Sequence, residues 1–220
     1  FEVESQDEIN RSPKQTYGEV RPGDIRYKDV NADGKIDDDD VVPIAHSNVP
    51  QIQYGFALEY RYKRWTISAL FTGAAKVNFL YGGSGFYPFS GGEVGNILSI
   101  VNDPKNRWTP AWYSGDPSTE NPNARFPRLT YGENKNNNRA STFWLADGSY
   151  LRWKSLDISY RIGTNKALRT VGISDMNLQF VGQNLAVWDS VKLWDPGQAS
   201  KNGAVYPLQR TFSLQLTATF

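Results

Sequence analysis

Polar and apolar residues alternate with period two in several separate stretches of the chain, the pattern of strands whose faces meet two different media. Near the C-terminus Phe212, Leu214, Leu216, Ala218 and Phe220 share one face, with Thr211, Ser213, Gln215, Thr217 and Thr219 on the other. Upstream, Ile52, Tyr54, Phe56, Leu58 and Tyr60 alternate with Gln51, Gln53, Gly55, Ala57 and Glu59. The basic turn Arg61-Tyr62-Lys63-Arg64 leads into Trp65, Ile67, Ala69 and Phe71 on one side and Thr66, Ser68 and Thr72 on the other, so these two stretches read as a hairpin. Leu156, Ile158, Tyr160 and Ile162 alternate with Ser155, Asp157, Ser159 and Arg161. Leu178 and Phe180 open another strand towards Trp188, and its alternation slips between Gly182 and Leu185. Strands are therefore predicted near 51–61, 64–75, 149–162, 176–188 and 209–220.

A soluble antiparallel sandwich and a membrane barrel both alternate in this way. Several features favour the barrel. The longer strands approach the roughly 9–11 residues that a tilted strand needs to cross a bilayer. The chain ends on Phe220 after an unbroken amphipathic strand, and Trp and Tyr sit near strand ends, where an interfacial girdle would lie. The connections are very unequal: a tight turn at 61–64, an excursion at about 76–148, a moderate link at 163–176 and a long one at 189–208. With the C-terminus placed in the periplasm, parity puts 189–208, 76–148 and everything before Gln51 outside the cell, and the short links inside. Five strands are too few to close a barrel, and an open edge is unstable in lipid. The expected fold class is all-β, the C-terminal strands of a transmembrane antiparallel barrel with long extracellular loops, to be completed by further polypeptide.

Composition adds little that conflicts. Trp 7 and Tyr 12 suit a β protein, and Cys 0 removes disulfides, thiolate zinc sites and thiol nucleophiles together. Lys+Arg 24 against Asp+Glu 23 supplies no electrostatic case for nucleic acid. No apolar run reaches the roughly 18 residues of a transmembrane helix, and Phe1-Glu2-Val3-Glu4-Ser5 does not read as a signal peptide, so an export signal is expected upstream.

Three stretches resemble the C-terminal region of SusC/RagA-type TonB-dependent outer-membrane receptors. They are Gly23-Asp24-Ile25-Arg26-Tyr27-Lys28-Asp29-Val30-Asn31-Ala32-Asp33-Gly34-Lys35-Ile36-Asp37 with the Pro50 to Phe56 strand start, and Asp147-Gly148-Ser149-Tyr150-Leu151-Arg152-Trp153-Lys154-Ser155-Leu156 leading into Tyr160. The third joins Gly182-Gln183-Asn184-Leu185 to Trp194-Asp195-Pro196-Gly197, Tyr206-Pro207, Arg210-Thr211-Phe212 and Thr219-Phe220. Their order matches from about residue 18 to the end, while the loop 76–140 carries little that is diagnostic. The resemblance implies the last strands of a twenty-two-stranded barrel in the cell outer membrane, importing oligosaccharides or peptides with a SusD-like surface lipoprotein. It also implies an upstream plug domain, absent from this chain, through which TonB supplies energy. On this reading the partners are the rest of the receptor, outer-membrane lipid, the lipoprotein, TonB and the transported ligand, and no residue is catalytic.

Two stretches carry candidate chemistry. In Asp29–Asp40, Asp29, Asn31, Asp33, Lys35 through its carbonyl, Asp37 and Asp40 take the spacing of a calcium loop, with Gly34 at the sharp turn. Asp40 stands where a longer glutamate is usual, and no amphipathic helices flank the loop. Calcium stiffening an extracellular loop is the expectation; a solvated turn held by Asx hydrogen bonds is the plainer alternative. No organic cofactor is expected. Trp108, Trp112 and Tyr113 lie among Asn and Pro in the long loop, where aromatic faces can stack on sugar rings or peptide side chains, although packing within the loop is a commoner use. His46, the single histidine, has no nucleophile motif beside it, and Gly82-Gly83-Ser84-Gly85 lacks the lysine and helix of a phosphate loop. The second reading for the whole chain is a secreted, calcium-stiffened β-sandwich adhesin or glycan-binding module.

Overall fold

The computed structural model describes residues 5–91 and 95–220, which divide into two compact units. One unit, 46–79, 146–199 and 205–220, holds a five-stranded antiparallel sheet. Its strands are β1 Ile52–Tyr62, β2 Trp65–Ala75, β3 Tyr150–Arg161, β4 Asp175–Asp189 and β5 Thr211–Thr219, each paired with its sequence neighbour. These ranges lie within about two residues of the periodicity-based expectation. β1 and β2 turn tightly on Lys63 and Arg64, and Lys63 takes the positive φ of 53° that such a turn demands.

Register turns the separate alternations into two continuous faces. Pairings Phe56↔Phe71, Leu58↔Ala69 and Tyr60↔Ile67 continue into Ile67↔Ile158, Ile158↔Phe180 and Phe180↔Leu214, carrying one apolar stripe across all five strands. Phe56 stacks on Phe71 at 5.0 Å and Phe71 on Trp153 at 5.8 Å, and Phe180 stacks on Phe212 at 6.0 Å. The large side chains of this stripe on β1 and β5 are exposed to the surroundings. The opposite face carries Glu59, Ser68, Asp157, Gln179 and Gln215; Gln179 donates to Asp157, and Ser159 hydrogen-bonds Asn177.

The slip in the β4 pattern has a structural cause. Opposite β2, Lys154 is an extra residue of β3, between the pairs Leu70↔Ser155 and Phe71↔Trp153. β4 accommodates the same irregularity with Asn184 and Leu185 opposite Lys154, and Asn184 adopts a φ of 52°. The bulge keeps Trp153 on the apolar face despite the period-two count from Leu156, and Trp153 donates its indole N–H to Ser155 O.

Gly73 marks a close approach on that face. A Cβ there would lie 2.4 Å from both Tyr150 O and the Tyr54 ring, because Tyr54 reaches across Gly73 to donate its hydroxyl to Tyr150 O at 2.8 Å. The ring covers backbone that a glycine leaves bare and ties β1 to β3 across β2.

The second unit, 1–45, 80–145 and 200–204, is built from turns, short helices and a two-residue parallel ladder, Lys14–Gln15 with Lys35–Ile36. Its apolar centre is Trp144, Phe86, Phe126, Ile25, Ile36 and Val101. Phe86 meets Trp144 edge-on at 5.7 Å, and the Trp144 indole N–H donates to Asn137 O.

Substitution at the Tyr54–Gly73 contact tests the register of the sheet. Tyr54→Phe removes one hydrogen bond and should cost about 1 kcal/mol. Gly73→Val should cost roughly 1–3 kcal/mol by overpacking. Chemical unfolding of the native polypeptide carrying this sequence, in detergent, reads both values; equal stability of all three proteins would refute the contact.

Candidate functional site

The loop unit is organised around a buried carboxylate. Asp24 is 0% exposed, and its Oδ2 accepts from Arg128 Nη2 and from Arg21 N, each at 2.8 Å. Its Oδ1 accepts from Asn134 Nδ2 at 3.0 Å and Asn137 Nδ2 at 2.8 Å. Asn137 Oδ1 takes the Ile25 N–H at 2.9 Å, Asn136 Nδ2 donates to Ile25 O at 2.9 Å, and the Tyr27 hydroxyl donates to Asn136 O. The Gly23-Asp24-Ile25 motif and the asparagine-rich segment 134–137 therefore fold as one piece, with nearly every lone pair of the buried carboxylate used. Burial pushes the Tyr27 phenol well above its ordinary value, so it stays a neutral donor.

A cleft of about 670 Å³ opens in the same unit. Pro22, Phe89, Trp112, Tyr113 and Tyr131 supply its apolar walls, and Arg21, Arg107 and Arg128 its charged positions. The three aromatics singled out from sequence all line it, in different ways. Trp112 is 84% exposed and meets Tyr113, also exposed, edge-on at 6.0 Å. Trp108 is only 6% exposed, its ring packed so closely on Gly23 that a Cβ there would lie 2.3 Å away. It is a packing residue beneath the cleft and offers no free ring face. Tyr131 and the three arginines carry no local motif; they come from segments 21–22, 107–113 and 128–131, which only folding brings together.

The acidic loop is capped by its own side chains. Asp29 accepts from Ala32 N and Gly34 N, Asn31 from Asp33 N, Asp33 from Lys35 N, and Asp37 from Asp39 N. Asp40 accepts from Val30 N at 2.6 Å, Asn31 N at 3.3 Å and Asp37 N at 3.0 Å. Gly34 has a φ of 86°, the left-handed turn that the spacing requires. Among the described residues no three His, Cys, Asp or Glu side chains gather as a metal-holding group. Of the set singled out from the sequence, Asp29, Asn31, Asp33, Asp37 and Asp40 thus accept backbone N–H bonds within the loop, and Lys35 donates its own N–H to Asp33. Next to it, Arg139 pairs with Asp38 at 2.7 Å while lying 3.6 Å over the Tyr17 ring.

In the sheet unit the second and third motifs meet through an ion pair, Arg152 Nη2 with Asp195 Oδ1. Both side chains are largely buried, and Asp195 also caps the short turn Pro196–Gln198 by accepting from Gly197 N at 2.9 Å. The segment after β4 is thereby fastened to β3.

The sheet thus exposes an apolar face and carries a polar one opposite, and the loop unit is rich in buried polar contacts. No family model matches the chain. It is similar to TonB-dependent receptor P26 of Formosa agariphila, 28% identical over a 228-residue alignment that covers 98% of this chain and 21% of that protein. It is also similar to TonB-dependent receptor P3 of the same organism, 24% identical over a 217-residue alignment that covers 92% of this chain and 20% of the relative. The chain spans about a fifth of the length of these curated relatives. Among solved structures the RagAB peptide importer in its open-open state superimposes with a TM-score of 0.61 at 20% identity, over 85% of this chain and 19% of that one. Its closed-closed state gives 0.58 at 19% identity, over 86% and 20%. The likeness to TonB-dependent receptors expected from the three motifs is shown over nearly the whole chain, and the fold is that of part of the RagAB importer.

Two substitutions probe the loop unit. Asp24→Asn leaves the Arg128 guanidinium without its counter-charge and should destabilise the unit by roughly 3–5 kcal/mol, seen as new protease cleavage within 80–145 of the native polypeptide. Unchanged protection would contradict the network. Backbone N–H groups, first that of Val30 and then that of Asp37, hold the Asp40 carboxyl below its ordinary value. Its contribution is fully present above the unfolded value, roughly 3.9, and is lost as pH falls through the lower folded value. Hydrogen exchange of 30–37, corrected for intrinsic rates, should rise over that acid window in the wild type, and Asp40→Ala should remove the dependence.

Proposed function

We propose that the chain forms part of the outer-membrane barrel of a TonB-dependent importer. The transported ligands are oligosaccharides or peptides, and a SusD-like lipoprotein covers the outer face. Remaining strands, the plug and the TonB contact belong to other parts of the polypeptide. The observation that carries this reading is the apolar stripe running in register across β1 to β5 with its large side chains exposed, backed by a polar face. A soluble sandwich would cover that stripe with a second sheet; in a barrel lipid covers it and the polar face lines the interior. The likeness in fold to the RagAB importer supports a place in a transporter wall, and the relatives' receptor class supports the outer-membrane location. In this reading the strands hold the wall, the loop unit contributes to the outer vestibule and the lipoprotein dock, and no residue needs to be catalytic.

The test compares adjacent positions on the two faces of β5. Leu214→Arg should cost about 2–4 kcal/mol of folding free energy in lipid vesicles, whereas Ser213→Arg should be nearly neutral. Equal effects, or a native polypeptide that is soluble without detergent and partitions away from the outer membrane, would overturn the proposal and favour the secreted sandwich.

A further inference from the structure

The cleft of the loop unit joins aromatic surface to positive charge. Its lining contains Arg21, Arg107 and Arg128 and no Asp or Glu. Two of these guanidiniums are already paired: Arg128 with Asp24, and Arg21 with Glu19 at 2.9 Å in an exposed pair that a ligand can displace at little cost. Arg107 differs. It is 7% exposed, its Nη1 donates to Val101 O at 2.6 Å and Asn102 O at 2.8 Å, and among the described residues no carboxylate lies within ion-pair distance. Burial pulls its pKa below the ordinary guanidinium value, against the opposing pull of Tyr113 and Asp103. A buried cation whose hydrogen bonds go to neutral carbonyls, with Asp103 acting on it only through space, is suited to an external anion at the edge of a cleft whose lining has no acidic group, and the planar guanidinium fits a carboxylate.

The walls narrow the anion further. Trp112 is 84% and Tyr131 78% exposed, and the ring contacts they make, with Tyr113 and Phe89, are edge-type. Four backbone N–H groups around the cleft are internally satisfied: Trp108 N donates to Phe126 O, Thr109 N to Thr119 O, Tyr113 N to Pro110 O and Arg128 N to Gly23 O. An extended peptide relies on free main-chain groups of its receptor; a pyranose ring relies on aromatic faces and side-chain donors. We infer that the cleft is a subsite for an acidic sugar, a hexuronate whose carboxylate bonds Arg107 and whose ring stacks on Trp112 or Tyr131. The inference rests on the importer reading and deepens it by selecting oligosaccharide ligands bearing carboxylates.

The test uses the native polypeptide in detergent, with calorimetry and tryptophan fluorescence as readouts. Probes are trigalacturonate and trimannuronate, their methyl esters and triglutamate. At least one uronate should bind, with its ester about tenfold weaker and triglutamate weaker still. Trp112→Ala and Tyr131→Ala, both at exposed positions, should each weaken uronate binding about tenfold, and Arg107→Gln should abolish it. Because Arg107 also holds two carbonyls and its variant can misfold, the ester comparison and the two aromatic variants decide. Binding of neither uronate, equal binding of acid and ester, tighter binding of triglutamate, or indifference to both aromatic variants overturns the inference. Such a failure in a protein that still resides in the outer membrane leaves the importer reading standing.

Discussion

On the importer reading, backbone hydrogen bonding in a medium without water is the constraint from which the sheet unit follows. In hydrocarbon every N–H and C=O needs a protein partner, so an antiparallel ladder is a workable wall and each open edge requires a further strand. β2, β3 and β4 have partners on both sides, while β1 and β5 are paired on one side only. The membrane reading therefore places additional strands along Ile52–Tyr62 and Thr211–Thr219. The same constraint explains why irregularity is confined to one band: the Lys154 bulge and its partner at Asn184 and Leu185 occur side by side. Across that band register is lost and recovered together, and the ladders resume on either side.

The loop unit solves the opposite problem. Wet, short of regular structure and interrupted in sequence, it cannot rely on a large apolar core or long ladders. It has a compact aromatic centre around Phe86 and Trp144, and beside it a polar hub on Asp24 whose ligands come from positions 21, 128, 134 and 137. Such a hub is directional where apolar packing is not, and it costs stability if any member is left unpaired. It fixes Arg128 and the start of the 128–131 segment, and with them one side of the cleft.

The sheet was legible in the sequence because period-two alternation is local, and each strand declares its face without reference to its neighbours. The pairing of those faces into one stripe, and the reason for the slip after Gly182, were not legible, since a bulge depends on which residue of another strand stands opposite. Aromatic positions 108, 112 and 113 could be singled out by residue type, but the sequence does not distinguish Trp108, buried on Gly23, from Trp112, open to solvent. Arg107 and Tyr131 gave no signal, because a cleft formed from distant segments has no spacing to read. Asp24 and the Arg152–Asp195 pair lay within the motifs that carry the family resemblance, and the structure supplies their physical content: one clamps a loop unit, the other fastens a connection to a strand.

These two fasteners also divide the labour between conserving architecture and admitting variety. A barrel wall tolerates little change on its lipid face, where polar substitutions are penalised, and little along its ladders, where every hydrogen bond is needed. Loops fixed at a few buried polar points are free elsewhere. In the cleft the fixed points are Asp24 with Arg128 and the packed Trp108, whereas Trp112, Tyr113 and Tyr131 project from the same scaffold without structural obligations of comparable weight. On the importer reading, a rigid base with exposed aromatics that the fold does not need would let ligand choice change while the wall stays the same. That separation of duties is the physical reason for seeking ligand choice in the loop unit and not along the strands.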